Sequence, residues 1–125
     1  MKKIILDTNF LMAVNQFKVD IFSEIKRICD FRYNIFILDK TIDELNKIVK
    51  LQKGKNKEAA KIALLIIKNK KMKKMKTNED IDVDRILLKQ KNAIIATQDT
   101  ELKRKLKKSS IRTISLRQRK YLVLN

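Results

Sequence analysis

The sequence predicts an α/β domain with a mainly parallel central sheet. Two observations carry that reading, and a third says where a site would be built. Short apolar, largely β-branched runs at Ile4 to Leu6, Ile35 to Leu38 and Ala93 to Thr97 have the length of buried strands. They alternate with longer segments whose apolar residues recur at helical spacing, the pattern of strands joined by helical crossovers. Each run also stops at or near an aspartate, namely Asp7, Asp39 and Asp99. In an open parallel sheet ligands sit outside the carboxyl ends of the strands, so a strand ending on a carboxylate puts charge where sites are made.

Taken in order, the first strand is stopped by Asp7-Thr8-Asn9, turn and cap formers, and Asn9 to Asn15 reads as a short helix. Val19 to Cys29 continues helically through Ile21, Phe22, Ile25 and Ile28, with Asp20 as its N-cap. After the second strand, Thr41 to Leu51 places Ile42, Leu45, Ile48 and Val49 on an inner face. Gly54 and Asn56 separate it from a helix with a wide stripe of Ala59, Ala60, Ile62, Ala63, Ile66 and Ile67. Lys68 to Lys76 holds six lysines around Met72 and Met75, too polar for a central strand, which leaves an edge strand or a solvated loop. Residues 77 to 82 are turn-like, and Asp84 opens a helix carrying Ile86 and Leu87. The third strand runs into Gln98-Asp99 and a basic helix from Thr100 to Lys107. One more strand follows from Ile111 to Leu116, and then a basic tail ending Tyr-Leu-Val-Leu.

The totals exclude several chemistries. At 125 residues the chain suffices for one domain with a real core. Histidine and proline are absent, Gly54 is the only glycine and Cys29 the only cysteine. Glycine-rich phosphate loops, His-based triads and Cys/His zinc sites are therefore ruled out. A lone cysteine in an apolar pattern reads as a small core residue in a reducing compartment. No apolar run approaches a membrane span, and Asp7 interrupts the first one before it becomes a signal segment. A soluble, cytoplasmic protein with no membrane partner is expected.

The net charge is +17 and is unevenly spread. Up to residue 50 there are nine Lys/Arg against seven Asp/Glu, and beyond it twenty-two against seven. That asymmetry points to a polyanion, with lysine-rich composition bias as the alternative. The candidate phosphate contacts are Lys70, Lys71, Lys73 and Lys74 in one run, and Lys103, Arg104, Lys105, Lys107 and Lys108 in another.

Four acids fall at strand ends or first helical turns: Asp7, Glu44, Asp84 and Asp99. Each has a capping reading, with Asp7 and Asp99 as N-caps, Thr41 and Glu44 as a capping box, and Asp84 facing a helix macrodipole. If the three apolar strands are parallel neighbours, Asp7, Asp99 and the first turn of Glu44's helix instead emerge along one sheet edge, near the start of Asp84's helix. Ionised carboxylates sharing a cleft need cations to neutralise them, and an all-oxygen set suits Mg²⁺ or Mn²⁺. Such a metal supports phosphodiester hydrolysis without histidine. Thr8, Asn9 and Thr97 would stand behind the carboxylates and orient them. The competing reading is a basic binding module whose acids are only caps.

These residues carry a resemblance. Leu6-Asp7-Thr8-Asn9-Phe10-Leu11, Glu44, Asp84-Arg85-Ile86-Leu87, and Ala96-Thr97-Gln98-Asp99 with Glu101-Leu102-Lys103-Arg104 resemble a PIN-domain ribonuclease. The segments from Ala96 to Arg104 and from Ile114 to Tyr121 look like an archaeal branch related to the PIN proteins of pre-ribosomal RNA processing and to VapC-type toxins. The likeness spans nearly the whole chain. It implies a three-layer α/β/α sandwich and metal-dependent cleavage of single-stranded RNA, ribosomal RNA included. The metal roles fall to Asp7, Glu44, Asp84 and Asp99. An antitoxin protein or a second copy in a homodimer are the protein partners it implies. Relatives of this branch often have two adjacent acids where this chain has Asp84-Arg85, with Asp80 or Asp82 as nearby substitutes.

Overall fold

A computed structural model describes residues 1–70, 72–77 and 80–125. The strands are β1 (Lys2–Leu6), β2 (Tyr33–Leu38), β3 (Lys73–Met75), β4 (Ala93–Ala96), β5 (Arg112–Arg117) and β6 (Tyr121–Leu124). The helices are α1 (Thr8–Gln16), α2 (Ile21–Ile28), α3 (Asp39–Leu51), α4 (Lys55–Asn69), α5 (Val83–Leu88) and α6 (Thr100–Lys108). The strands form one sheet in the order β3-β2-β1-β4-β5-β6, parallel except for β6 against β5. The α/β expectation is met. Among the described residues no helix is long and apolar enough to cross a membrane.

Each face of the sheet buries a different set of side chains, as the period of two requires. Ile4, Leu6, Ile37, Ile94, Ala96 and Ile114 face one way, onto Phe10, Leu11 and Val14 of α1, Ile21 and Ile25 of α2, Leu45 of α3, and Ala60, Ala63 and Ile67 of α4. Ile5, Leu38 and Ile95 face the other, onto Ile86 and Leu87 of α5 and Leu102 and Leu106 of α6. The result is a three-layer sandwich. Because β1 is covered on both sides, its run is apolar at consecutive positions rather than alternating. Each fully buried Ile, Leu or Phe contributes about 1.5–3 kcal/mol.

Local chemistry sets the helix ends. Asp20 caps α2, accepting from the backbone N–H of Phe22 at 3.1 Å and of Ser23 at 3.3 Å. Gly54, at φ 68°, turns α3 back into α4, a conformation that side-chain-bearing residues rarely adopt. Cys29 lies in the core, where burial pushes its thiol pKa up and keeps it protonated.

Two expectations need correction. Thr41 and Glu44 do not form a capping box, because α3 begins earlier, at Asp39, and leaves Thr41 buried inside the helix. Asp39 instead ties down the chain after β3: its carboxylate accepts from the Thr77 hydroxyl at 2.6 Å and the Thr77 N–H at 3.1 Å. The basic tail, for its part, is structured, since Tyr121–Leu124 pairs antiparallel with β5. α2 holds this strand from the side. Glu24 accepts from the Leu122 N–H at 2.9 Å, and Arg27 donates to the Leu122 carbonyl at 2.9 Å. Among the described residues of the lysine-rich stretch, Lys73–Met75 form the strand, an edge strand paired with β2.

Candidate active site

Strand order reverses direction at β1. From β1 the chain moves to β2 and β3 on one side, then crosses back to β4, β5 and β6 on the other. The connections on the two sides therefore leave from opposite faces, and a crevice opens between the carboxyl ends of β1 and β4, where open α/β sheets bind ligands. Asp7 follows β1 and Asp99 follows β4.

One cleft of about 530 Å³ is lined by Asp7, Glu44, Asp84 and Asp99 together. They come from four places in the chain: the end of β1, the second turn of α3, the first turn of α5 and the N-cap of α6. Asp7 is the most firmly held. One carboxylate oxygen accepts from the Thr8 N–H at 2.9 Å, and the other from the Thr97 hydroxyl at 2.9 Å and the Asn9 amide at 3.2 Å. Thr97, fully buried, also accepts from the Asp99 N–H at 3.2 Å, so one hydroxyl bridges the two aspartates. Asn9 is fixed in turn, its amide oxygen accepting from the Gln98 N–H at 2.8 Å. Gln98 brackets Leu116 of β5, donating to its carbonyl at 3.1 Å and accepting from its N–H at 2.6 Å. The network is anchored to the sheet at both ends.

Capping and site roles coexist at two positions. Asp99 caps α6 through one oxygen, 3.1 Å from the Leu102 N–H, and its carboxylate still lines the cleft. Asp84 sits in the first turn of α5, where the macrodipole favours it. Asp82 precedes it at the N-cap position without a side-chain cap bond, and neither Asp82 nor Asp80 lines the cleft. Arg85 is exposed and is not among the residues lining the cleft.

The acids sense one another. Burial raises the Asp7 pKa; the Thr97 hydroxyl and Thr8 N–H oppose that, and the charges of Asp84 and Asp99 add to it. Burial also raises Glu44, with the Asp7 charge next. Asp84 is raised by partial burial and by the charges of Asp82 and Asp99, while Lys105 pulls it back. This is the electrostatic state of a site short of positive charge. The Thr8 hydroxyl, buried beside Glu44, slightly favours that charge but meets no partner at true hydrogen-bond geometry.

Among the described residues no three carboxylates close into a finished ligand set. Repulsion alone would hold them apart, and Mg²⁺ commonly takes one or two carboxylates while keeping several waters. An oxygen-only lining, mutually strained charges and an unsatisfied buried hydroxyl fit a hydrated divalent cation.

The basic runs are split. Lys70 lies over the Phe22 ring at 5.6 Å and Lys73 over the Phe36 ring at 6.0 Å, while Lys74 joins Lys70 along a groove between β3 and the α3–α4 pair. Lys71 lies outside the described residues. On α6, Lys103, Arg104 and Lys107 line a second groove against Thr113 and Asn125, whereas Lys105 is exposed with its charge acting on Asp84, and Lys108 is exposed in the last turn. The two runs thus belong to opposite halves of the sheet rather than to one track.

Sequence reasoning missed Met12, Gln16, Ile48, Gln52 and Asn56, which extend the cleft beyond the acids. A signal was present. Thr8, Met12 and Gln16, and likewise Glu44, Ile48 and Gln52, recur every four residues and so share a helix face with a candidate site residue.

The family described as a PIN like domain matches residues 4–119. Ribonuclease VapC4 of Methanocaldococcus jannaschii is 38% identical over 124 residues, covering 97% of this chain and 95% of that protein. Ribonuclease VapC9 of Archaeoglobus fulgidus is 31% identical over 109 residues, covering 86% and 77%. Among solved structures, the PIN domain endonuclease Utp24 superposes with a TM-score of 0.80 at 23% identity, over 98% of this chain and 90% of that one, a likeness of fold. With its matched sequence, its sheet order and its acids gathered at the crevice, the chain belongs to the PIN-domain ribonuclease family.

Proposed function

We propose that the protein is an endonuclease hydrolysing phosphodiester bonds in single-stranded RNA, with Mg²⁺ or Mn²⁺ held among Asp7, Glu44, Asp84 and Asp99. The observation that carries this is the meeting of four carboxylates from distant parts of the chain in one cleft, in a molecule of net charge +17. A carboxylate cluster repels RNA unless a cation converts it into a phosphate site, while lysines elsewhere supply the general attraction. The ribonuclease names of the two archaeal relatives favour RNA as the polyanion.

The division of labour follows from the contacts. Thr8, Asn9 and Thr97 hold both oxygens of Asp7 in a fixed plane, so the first carboxylate is oriented before any ligand arrives. Asp99 keeps one oxygen for its cap and presents the rest of its carboxylate to the cleft. Asp84 lines the cleft and its carboxylate has no hydrogen-bond partner among the described residues, which leaves its oxygens open to a cation or to the water such a cation would hold. A bound divalent cation would supply the positive charge that polarises the scissile phosphate and favours the attacking oxygen. Lys105, whose charge acts on Asp84, is a candidate contact for the RNA phosphates beside the acids. An antitoxin protein is proposed as partner on the toxin resemblance alone.

The test is cleavage of an end-labelled single-stranded RNA with Mn²⁺, with chelator, and by Asp84→Asn. Internal cuts that need metal and vanish in the variant support the reading. Purified wild type that never cuts with Mn²⁺ returns the chain to a basic RNA-binding module.

A further inference from the structure

The cleft has a second half that phosphodiester chemistry does not use. α1 and α3 form its walls with matched spacing, so that one turn beyond the acids the lining is Met12 and Ile48, both half-buried. Two turns beyond, it is Gln16 and Gln52, joined by Asn56 from the first turn of α4. Among the described residues no lysine or arginine lines this cleft, although the chain carries 31 of them. The side chains lining that end are apolar or uncharged amides. A flat uncharged ring would find apolar surface for its face and amides for its edge.

The amides are also oriented. Asn56 donates through Nδ2 to Gln52 Oε1 at 2.8 Å, which leaves the Gln52 NH₂ as a donor beside the free Asn56 Oδ1 as an acceptor. Nucleobases present donors and acceptors side by side on their edges, and carboxamide side chains recognise that pattern. Both residues are exposed, and the bond between them is the one their side chains make among the described residues, so the fold does not depend on them.

Resting on the nuclease reading of the acids, we infer that Met12, Ile48, Gln52 and Asn56 form a nucleobase subsite. It holds the base of a nucleotide adjoining the bond that is cut, and it makes cleavage depend on that base. Gln16 closes its far end.

The experiment compares wild type with the Gln52→Ala/Asn56→Ala double variant on short RNAs randomised at each position flanking the cut. Wild type is expected to favour one or two bases at one flanking position. The double variant should lose roughly tenfold in kcat/KM on the favoured base and less than about twofold on the others, flattening the preference. Wild-type cleavage indifferent to every flanking base, or a preference the double variant retains, overturns the subsite and leaves the nuclease reading standing. A second arm needs no cleavage. The side-chain amide NMR signals of Gln52 and Asn56 are followed in Asp7→Asn protein as a short RNA, or its abasic counterpart, is added. Shifts caused by base-bearing RNA alone support the subsite even if the protein never cuts, whereas amides unmoved by either RNA overturn it.

Discussion

Asp7→Asn separates a metal-binding carboxylate from a structural one. In the metal-free protein the substitution should be mild. Asparagine keeps an oxygen for the Thr8 N–H, and its new NH₂ can donate to the Thr97 hydroxyl oxygen. Thr97 can then turn its own hydrogen to the Asn9 amide oxygen, already 3.2 Å away. What is lost is the 3.2 Å bond from the exposed Asn9 amide, which water replaces. Against that, a charge disfavoured by burial and by Asp84 and Asp99 disappears, so stability without metal should stay within about 1 kcal/mol of wild type. With metal the two proteins should part. Mn²⁺ at a hundred times its Kd contributes about 2.7 kcal/mol to wild type, a rise in Tm of roughly 10 °C for a domain of this size. The variant should show almost none of that rise. Cleavage should fall by more than the 10- to 100-fold, approximately, expected of a group behind the ligands. Thermal scans across a Mn²⁺ titration, paired with cleavage rates, provide the readout. A variant that keeps both the metal-induced rise and the cutting would refute the assignment of Asp7.

Two further outcomes follow from single hydroxyls. Thr97→Val keeps the shape of a fully buried side chain but leaves the Asp99 N–H without its acceptor, so it should cost about 1–3 kcal/mol and lower metal affinity roughly 10- to 100-fold, with Thr97→Ser restoring both; wild-type Mn²⁺ affinity in the valine variant would remove Thr97 from the site. Thr77 bears on pH. Its hydroxyl is the main cause that holds Asp39 below the ordinary aspartate pKa, and a depressed carboxylate stabilises the fold above its unfolded value and loses that contribution as pH falls through the folded one. Thr77→Val should therefore melt lower than wild type near neutral pH, with the gap narrowing as acid protonates Asp39; a gap constant across that range would contradict the linkage.

The sheet was legible where burial on both faces writes itself as a run of apolar residues. Ile4 to Leu6, Ile35 to Leu38 and Ala93 to Ala96 lie in three of the four interior strands, and Asp7 and Asp99, which follow two of them, line the cleft. β6 was not legible, because its hairpin turns through Gln118 at φ 53° and Arg119 at φ 57° without the glycine or Asn-Gly that announces such a turn. Its place is set by Glu24 and Arg27 of α2, a contact across nearly the whole chain length that no local pattern encodes. Glu44 shows how a local rule can misassign a site residue. Thr-x-x-Glu is a sound capping signal, but the helix starts at Asp39, and Glu44 is thereby rotated into the cleft. The amide end of the cleft escaped notice because glutamine and asparagine at helical spacing look like any solvated face until a second helix lies opposite.

The short outer strand β3 has a consequence for how the molecule behaves in concentrated solution. A six-stranded sheet that stops at an unpaired edge offers backbone donors and acceptors to any neighbouring molecule, and such edges template aggregation. Here the edge is three residues long, and two of them, Lys73 and Lys74, are exposed. A copy docking alongside would have to bring its own ammonium groups against these two, on a surface with too few backbone bonds to offset the repulsion. The same stretch whose lysines spoiled it as a central strand therefore disfavours strand addition at this edge of the sheet.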